Sequence, residues 1–314
     1  MITSEHPPVA ASVTPLDHVI ESQQFTVPLL MELFHRARGM ERIVARGGTE
    51  DYRDRILATL FYEPSTRTRF SFEAAMYRLG GRVLSSEHAR AFSSEMEGEQ
   101  VEDSIRILGS YADVIVIRHH EEGGARRAAQ VSPVPVINAG DGKGGQHPTQ
   151  ALLDLYTIYR ERPLDGLSVA LIGELDKGRT ARSLAYLLAK FERVKLYFVS
   201  PPELQMKPDI LEYLERHGVK YELTEDLERA IGEVDVVYQT RIRPERLAAG
   251  RERFAINSTS LGRMKKDAMI LHPLPRTAEL DKRVDGDPRA FYFRQAVNGL
   301  YVRMALLTML LDKE

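Results

Sequence analysis

Residues 61–81, FYEPSTRTRFSFEAAMYRLGG, change character partway along. Leu57, Ala58, Leu60, Phe61 and Tyr62 form a short apolar run suited to a buried strand. Pro64 cannot extend a sheet ladder, and Ser65, Thr66, Arg67 and Thr68 follow it. Phe70, Phe72, Ala75, Met76 and Leu79 then fall near helical spacing, and Gly80-Gly81 stops the helix. The spacing predicts a strand running into a helix whose first turn carries three hydroxyls and two guanidiniums. The first amides of a helix lack internal partners and lie at the positive end of its dipole, so they attract anions. Arg67 and Arg69 add forked donors suited to phosphate. A plain N-cap by Ser65 or Thr66 with solvated arginines is the competing reading. Five successive donor side chains at one junction favour an oxyanion site.

Outward from this unit, strands and helices alternate. A helix is expected from about Val27 to Arg46-Gly47-Gly48, and a second strand over Arg82–Ser85. Residues 86–104 carry six acids against Arg90 and show no apolar period until near their end. They read either as a functional loop or as a solvated acidic face. Strands are expected over Asp113–Ile117 and Val134–Ile137, then a glycine-rich turn over Asn138–Gly145 and a long helix from Gln146-His147-Pro148. The second half repeats the alternation, with strands over Leu167–Ile172, Val194–Phe198, Lys220–Leu223, Val234–Tyr238 and Ala268–Leu271. A final helix runs through Leu300, Met304, Leu307 and Leu310. The expected class is α/β with two domains, each a mostly parallel sheet flanked by helices, and a C-terminal helix returning to the first domain. The expected division is 1–148 plus 290–314 against 149–289.

Composition narrows the function. The 314 residues are 43% hydrophobic and 28% charged, which describes a globular protein of about two domains. A net charge of −2 without a dense Lys/Arg run argues against nucleic acid, and no apolar stretch reaches membrane-spanning length. Residues 1–15 lack the apolar region of a secretory signal, so a cytosolic location is expected. With no cysteine, disulfides, thiol catalysis and thiolate metal sites are ruled out.

Further candidates sit at strand ends, where α/β folds place active residues. Arg118-His119-His120 follows one strand, and His147 enters a helix after the glycine-rich turn. A metal site from His119, His120 and His147 is disfavoured, because adjacent side chains on extended backbone point in opposite directions. His147 suits a hydrogen-bond donor to an oxygen, with a simple His147-Pro148 cap as the alternative. Gly173–Thr180, GELDKGRT, approaches a phosphate loop, but its lysine position is Arg179 and Glu174 and Asp176 would repel a triphosphate. Arg179 fits a carboxylate better, unless it is only an exposed helix-start arginine. Arg241 and Arg243 follow another strand, and His272-Pro273-Leu274-Pro275-Arg276 a fourth, with a cis bond admissible at the prolines. Together these strand ends describe a cleft for an anionic substrate.

S-T-R-T-R, G-Q-H-P-T-Q-A-L-L-D and H-P-L-P-R, in this order and spacing, resemble the aspartate/ornithine carbamoyltransferase family over about Leu16 to Leu311. The resemblance is greatest to catalytic chains that use aspartate. It implies that Ser65, Thr66, Arg67 and Thr68 hold the phosphate of carbamoyl phosphate. Thr68, Arg118 and His147 would polarise the carbonyl oxygen, and Gln150 would contact the carbamoyl nitrogen. Arg179 and Arg241 would bind the carboxylates of L-aspartate, and the Leu274 carbonyl would face the amines. No cofactor or metal is implied. Family members are homotrimers with shared active sites, in which the loop matching 86–100 reaches a neighbour, and some associate with regulatory or dihydroorotase chains.

Three departures stand out. Glu97 occupies the position of a family lysine that reaches both substrates, while Ser93 or Ser94 retains the loop's serine. Two charges about 4 Å apart interact by roughly 4 kcal/mol at a surface-like dielectric, so Glu97 in that pose would oppose carbamoyl phosphate. Lys143 lies in a one-residue expansion of the glycine-rich turn and is a candidate replacement for the missing ammonium. Arg243 stands where aspartate-specific relatives carry glutamine, adding charge for a carboxylate or for another acidic acceptor. The alternatives to aspartate carbamoyl transfer are therefore transfer to another amine and a catalytically impaired, partner-binding paralogue.

Overall fold

The computed structural model describes residues 16–87, 99–247 and 249–312. The first half carries α1 (Val27–Ala45), β1 (Ile56–Phe61), α2 (Thr66–Arg78), β2 (Arg82–Glu87), α3 (Val101–Leu108), β3 (Val114–His119), α4 (Gly124–Val131) and β4 (Val136–Asp141). α5 (Pro148–Glu161) crosses to β5 (Ser168–Ile172), α6 (Arg179–Leu188), β6 (Lys195–Val199), α7 (Pro208–Arg216), β7 (Lys220–Thr224), α8 (Leu227–Glu233) and β8 (Val236–Gln239). The short α9 (Ser258–Leu261), β9 (Met269–Leu271) and α10 (Tyr292–Leu311) complete the chain.

Two sheets result, ordered β2-β1-β3-β4 and β7-β6-β5-β8-β9, with every paired strand parallel. The inner strands β1, β3, β5 and β8 are almost wholly buried and apolar, as parallel strands covered on both faces must be, while the edge strands β2 and β7 are largely open to solvent. Each order reverses at one place, between β1 and β3 in the first sheet and between β5 and β8 in the second. A crevice opens beyond the strand C-termini at such a reversal. Phe61 pairs with Arg118 at the first, and Ile172 with Gln239 at the second.

Helix α5 is buried from Pro148 through Ile158, so it is packed between the halves rather than exposed as a linker. One apolar cluster runs from Phe34 on α1 through Tyr156 and Val302 to Leu171 and Leu184 of the second half. Helix α10 packs on α1, α2 and α5, the return to the first half expected from sequence. Among the described residues no helix is long and apolar enough to cross a membrane.

One expected boundary moves. The glycine-rich turn does not start at Asn138, because β4 continues to Asp141 and pairs with β3 through Asn138 and Asp141. Small polar residues look like a turn in isolation, but here they are held in register with β3 on one side, while the Asn138 N–H donates to the Val19 carbonyl on the other. The turn proper is 142–145.

Candidate active site

Beyond Phe61 the chain turns at Pro64 and enters α2 with Ser65 as N-cap, and the Ser65 side chain makes no capping hydrogen bond. The plain-cap reading therefore fails at Ser65. Ser65, Thr66, Arg67 and Thr68 line a cleft of about 840 Å³ shared with Arg118, His147, Gln150, Arg179, Arg241 and Leu274. Arg67 and His147, far apart in sequence, thus face one space. Ser93 and Glu97 lie outside the described residues.

Glu63 joins the two halves. Its Oε2 accepts from Arg179 Nη2 at 3.1 Å and lies 3.5 Å from Arg118 Nη2. Arg118 also donates from Nη1 to the Ala139 carbonyl at 3.1 Å, and Arg179 to the Gly142 carbonyl at 3.3 Å. Both guanidiniums pass over Gly140, whose φ is +112°. A Cβ there would lie 2.9 Å from Arg118 Nη1 and 3.3 Å from Arg179 Cζ, so the close approach requires glycine. Burial, then the Arg179 charge, pull the Arg118 guanidinium down to about 9, against Glu63. It remains a cation at neutral pH.

His147 is the N-cap of α5, and its ring makes no capping bond, so the simple-cap alternative fails as well. Its main-chain N–H donates to Ser183 Oγ at 2.9 Å, and Nδ1 lies 3.4 Å from Thr149 Oγ1. Burial holds the ring well below 6.5, reinforced by the charges of Arg118, Arg179 and Arg303. A neutral ring with Thr149 donating to Nδ1 carries its proton on Nε2, which suits donation to an oxygen.

The opposite wall of the cleft is formed by loops after β5, β8 and β9. Among the described residues Arg241 has no carboxylate at ion-pair distance and lines both the main cleft and an adjoining recess of about 290 Å³. Leu274 precedes a cis bond to Pro275, as admitted by the sequence. His272 holds this turn: Nδ1 accepts the Leu274 N–H at 2.8 Å and Nε2 faces Glu279 Oε1 at 3.0 Å. Burial pushes the Glu279 carboxyl up, but hydrogen bonds from His272 and Thr277 outweigh it and bring it to about 2.

Three expectations need correction. Arg243 brings no spare positive charge, because Glu174 takes it with Nε at 3.1 Å and Nη2 at 2.5 Å. Asp176 is likewise engaged, by Arg246 Nη2 at 2.6 Å. Lys143 is exposed and lines the recess beside Glu174 and Arg241 rather than the cleft lined by Ser65 to Thr68, since the turn carries it past Gly142 towards the second half. His119 and His120 do not diverge: their rings stack at 4.5 Å, because the strand ends at His119 and the chain bends. Among the described residues no three His, Cys, Asp or Glu converge to hold a metal ion.

The buried His119 gives a test of its own. Burial first, then His120, lower its pKa to about 4. The unfolded chain, with an ordinary histidine near 6.5, therefore binds this proton first, and stability is lost as pH falls from 6.5 towards 4. His119→Asn keeps an acceptor for the Glu121 N–H, now 3.1 Å from Nδ1. At pH 5 it should remove about 2 kcal/mol of the stability lost relative to pH 7.5, read by urea unfolding at both values. Equal losses in parent and variant would disprove it.

Sequence reasoning passed over Glu63, Asp154, Gln295 and Arg303, which face or support the cleft. For three of them a signal existed: a lone Asp in ALLDLY, a Gln entering α10 and a lone Arg in YVRMALL are polar groups on buried helices.

Known proteins match this architecture closely. Residues 17–160 match the family described as aspartate/ornithine carbamoyltransferase, carbamoyl-P binding domain, and residues 165–310 its Asp/Orn binding domain. Aspartate carbamoyltransferase 1, chloroplastic, of Pisum sativum is 55% identical over 305 residues, covering 94% of this chain and 79% of the pea protein. The catalytic subunit of M. jannaschii aspartate transcarbamoylase superposes with a TM-score of 0.86 at 43% identity, covering 95% of this chain and 98% of that one. Aspartate transcarbamoylase from Trypanosoma cruzi, in complex with carbamoyl phosphate and aspartate, gives 0.89 at 39% identity over 94% of this chain and 95% of that one. With the two family domains matched over residues 17–160 and 165–310 and this identity over nearly its whole length, the chain belongs to the aspartate/ornithine carbamoyltransferase family.

Proposed function

We propose that the chain transfers the carbamoyl group of carbamoyl phosphate to L-aspartate, giving N-carbamoyl-L-aspartate and phosphate for pyrimidine synthesis. The observation that carries the reading is the convergence of Arg67, Arg118 and His147 on one cleft with Arg179 and Arg241. The start of α2 and the side chains of Ser65 to Thr68 hold the phosphoryl group. Thr68, Arg118 and neutral His147 stabilise the oxyanion as the amine attacks the carbamoyl carbon, each such donor contributing roughly 3–4 kcal/mol. The leaving phosphate is basic enough to accept the amine proton, so no protein base is needed. Arg179 and Arg241 take the aspartate carboxylates, and Gln150 and the Leu274 carbonyl face the transferred amine. The chain divides accordingly into a carbamoyl-phosphate half, 1–148 plus 290–314, and an acceptor half, 149–289.

The direct test is carbamoyl transfer by the purified chain across a panel of amines. Carbamoyl aspartate as the main product supports the reading. Transfer to a different amine, or none in a well-folded protein, refutes it. Light scattering tests the accompanying expectation of a homotrimer, for which Phe70, 53% exposed on the cleft wall, provides an apolar edge for a neighbour.

Lys143 separates the two sides of the cleft. Lys143→Ala is expected to raise the aspartate KM two- to fivefold, the scale of one exposed charge, and to leave carbamoyl phosphate affinity unchanged. The opposite pattern in steady-state kinetics would return Lys143 to the phosphate side.

A further inference from the structure

Helix α5 carries one acid with no exposure at all, Asp154. Its Oδ1 accepts from Gln150 Nε2 at 2.8 Å and from Gln295 Nε2 at 2.6 Å, and its Oδ2 from the Tyr238 hydroxyl at 2.7 Å. These donors stand on α5, α10 and β8, so a single carboxylate ties together three elements around the cleft. Chemistry fixes how the two amides are turned. Gln295 Oε1 accepts the main-chain N–H of His272 at 2.9 Å, and a main-chain N–H can only donate, so the Gln295 NH₂ must face Asp154. An ionised carboxylate can only accept, so Gln150 must also give it an NH₂. Its Oε1 is then the end turned away from Asp154, and Gln150 lines the cleft.

We propose that Asp154 is a positioning residue for selection of the carbamoyl nitrogen: it holds Gln150 with Oε1 towards the cleft, an acceptor for an amine and a poor neighbour for a methyl. The same oxygen acts on the other wall. Through Gln295 it holds the main chain of His272, two residues before Leu274, so both acceptors for the transferred amine hang on one buried group. Burial raises the Asp154 carboxyl to about 6, opposed by hydrogen bonds from Tyr238, Gln295 and Gln150 and by the charge of Arg303, and at pH 8 it is ionised. A site built to hydrogen-bond an amine discriminates strongly against an analogue lacking it, because the buried acceptor is left unpaired. This inference rests on the carbamoyl phosphate reading and names what makes that site specific.

The test uses two inert phosphonates that need no turnover. Phosphonoacetamide carries the amine, and acetonylphosphonate has a methyl in its place. Their affinities, with that of inorganic phosphate, are measured by calorimetry at pH 8 on the full chain. The parent should bind the amide about tenfold more tightly than the ketone, the worth of one buried hydrogen bond. Asp154→Ala should bring that ratio close to one while phosphate affinity stays within about threefold. Asp154→Ser is made alongside, since a hydroxyl and entering water satisfy the three donors without fixing the amide, and either folded variant suffices. Asp154→Asn still has an oxygen for both glutamines, with its NH₂ towards a rotatable hydroxyl, and should keep the ratio. A ratio preserved in the Ala and Ser variants, or one lost together with phosphate affinity, overturns the assignment. So does a parent that binds both phosphonates equally. A parent that binds neither phosphonate nor phosphate removes the carbamoyl phosphate reading itself.

Discussion

Arg118→Met should lower kcat for carbamoyl transfer by about a hundred- to a thousandfold while the aspartate KM changes little. Arg118 is half of the pair that Glu63 clasps, with Arg179 as the other half. On the proposed mechanism its removal deletes a preorganised donor at the developing oxyanion, an effect of order 3–4 kcal/mol. It also leaves Glu63 beside the phosphate cradle with one cation instead of two. Methionine keeps most of the buried volume, so the fold should survive, which a thermal midpoint will show. Steady-state kinetics decide the matter: a loss of less than tenfold in a folded variant would remove Arg118 from the chemistry.

Arg241→Ala should act on the other substrate. The expected result is a rise in aspartate KM of roughly thirty- to a hundredfold, the value of a charge-assisted hydrogen bond to a carboxylate. Carbamoyl phosphate affinity should stay unchanged. Arg241 gives a cleaner experiment than Arg179, which also binds Glu63 and the Gly142 carbonyl and so affects both halves. Arg241 has no carboxylate partner among the described residues, so its loss strands no buried acid. If aspartate affinity is kept and phosphate affinity falls, the assignment of the two sides of the cleft is wrong.

The corrections share one cause. Arg243 read as added charge because a sequence displays side chains without their partners. Glu174, sixty-nine positions earlier, neutralises it only once β5 and β8 lie side by side. Glu63 was in plain view within the stretch that opened the reading, yet a carboxylate beside an anion cradle made no local sense. It makes sense only as the clasp for two arginines that arrive from β3 and α6. The histidine pair failed for a geometric reason: alternation holds while a strand is extended, and the strand stops at His119.

Local patterning by itself determined much of this protein. Apolar runs of strand length alternating with amphipathic helices specified two parallel layers, and the hydroxyl and guanidinium cluster after Pro64 specified an anion site. Both are encoded within a few turns of chain, where period and residue type suffice. Only the tertiary structure decided which charges are spent on each other and which remain for substrate. Ion pairing and burial depend on distances between elements separated by fifty to a hundred and forty residues, such as Glu63 with Arg179 and Asp154 with Gln295. An electrostatic interaction falls off with separation in space and takes no account of separation along the chain.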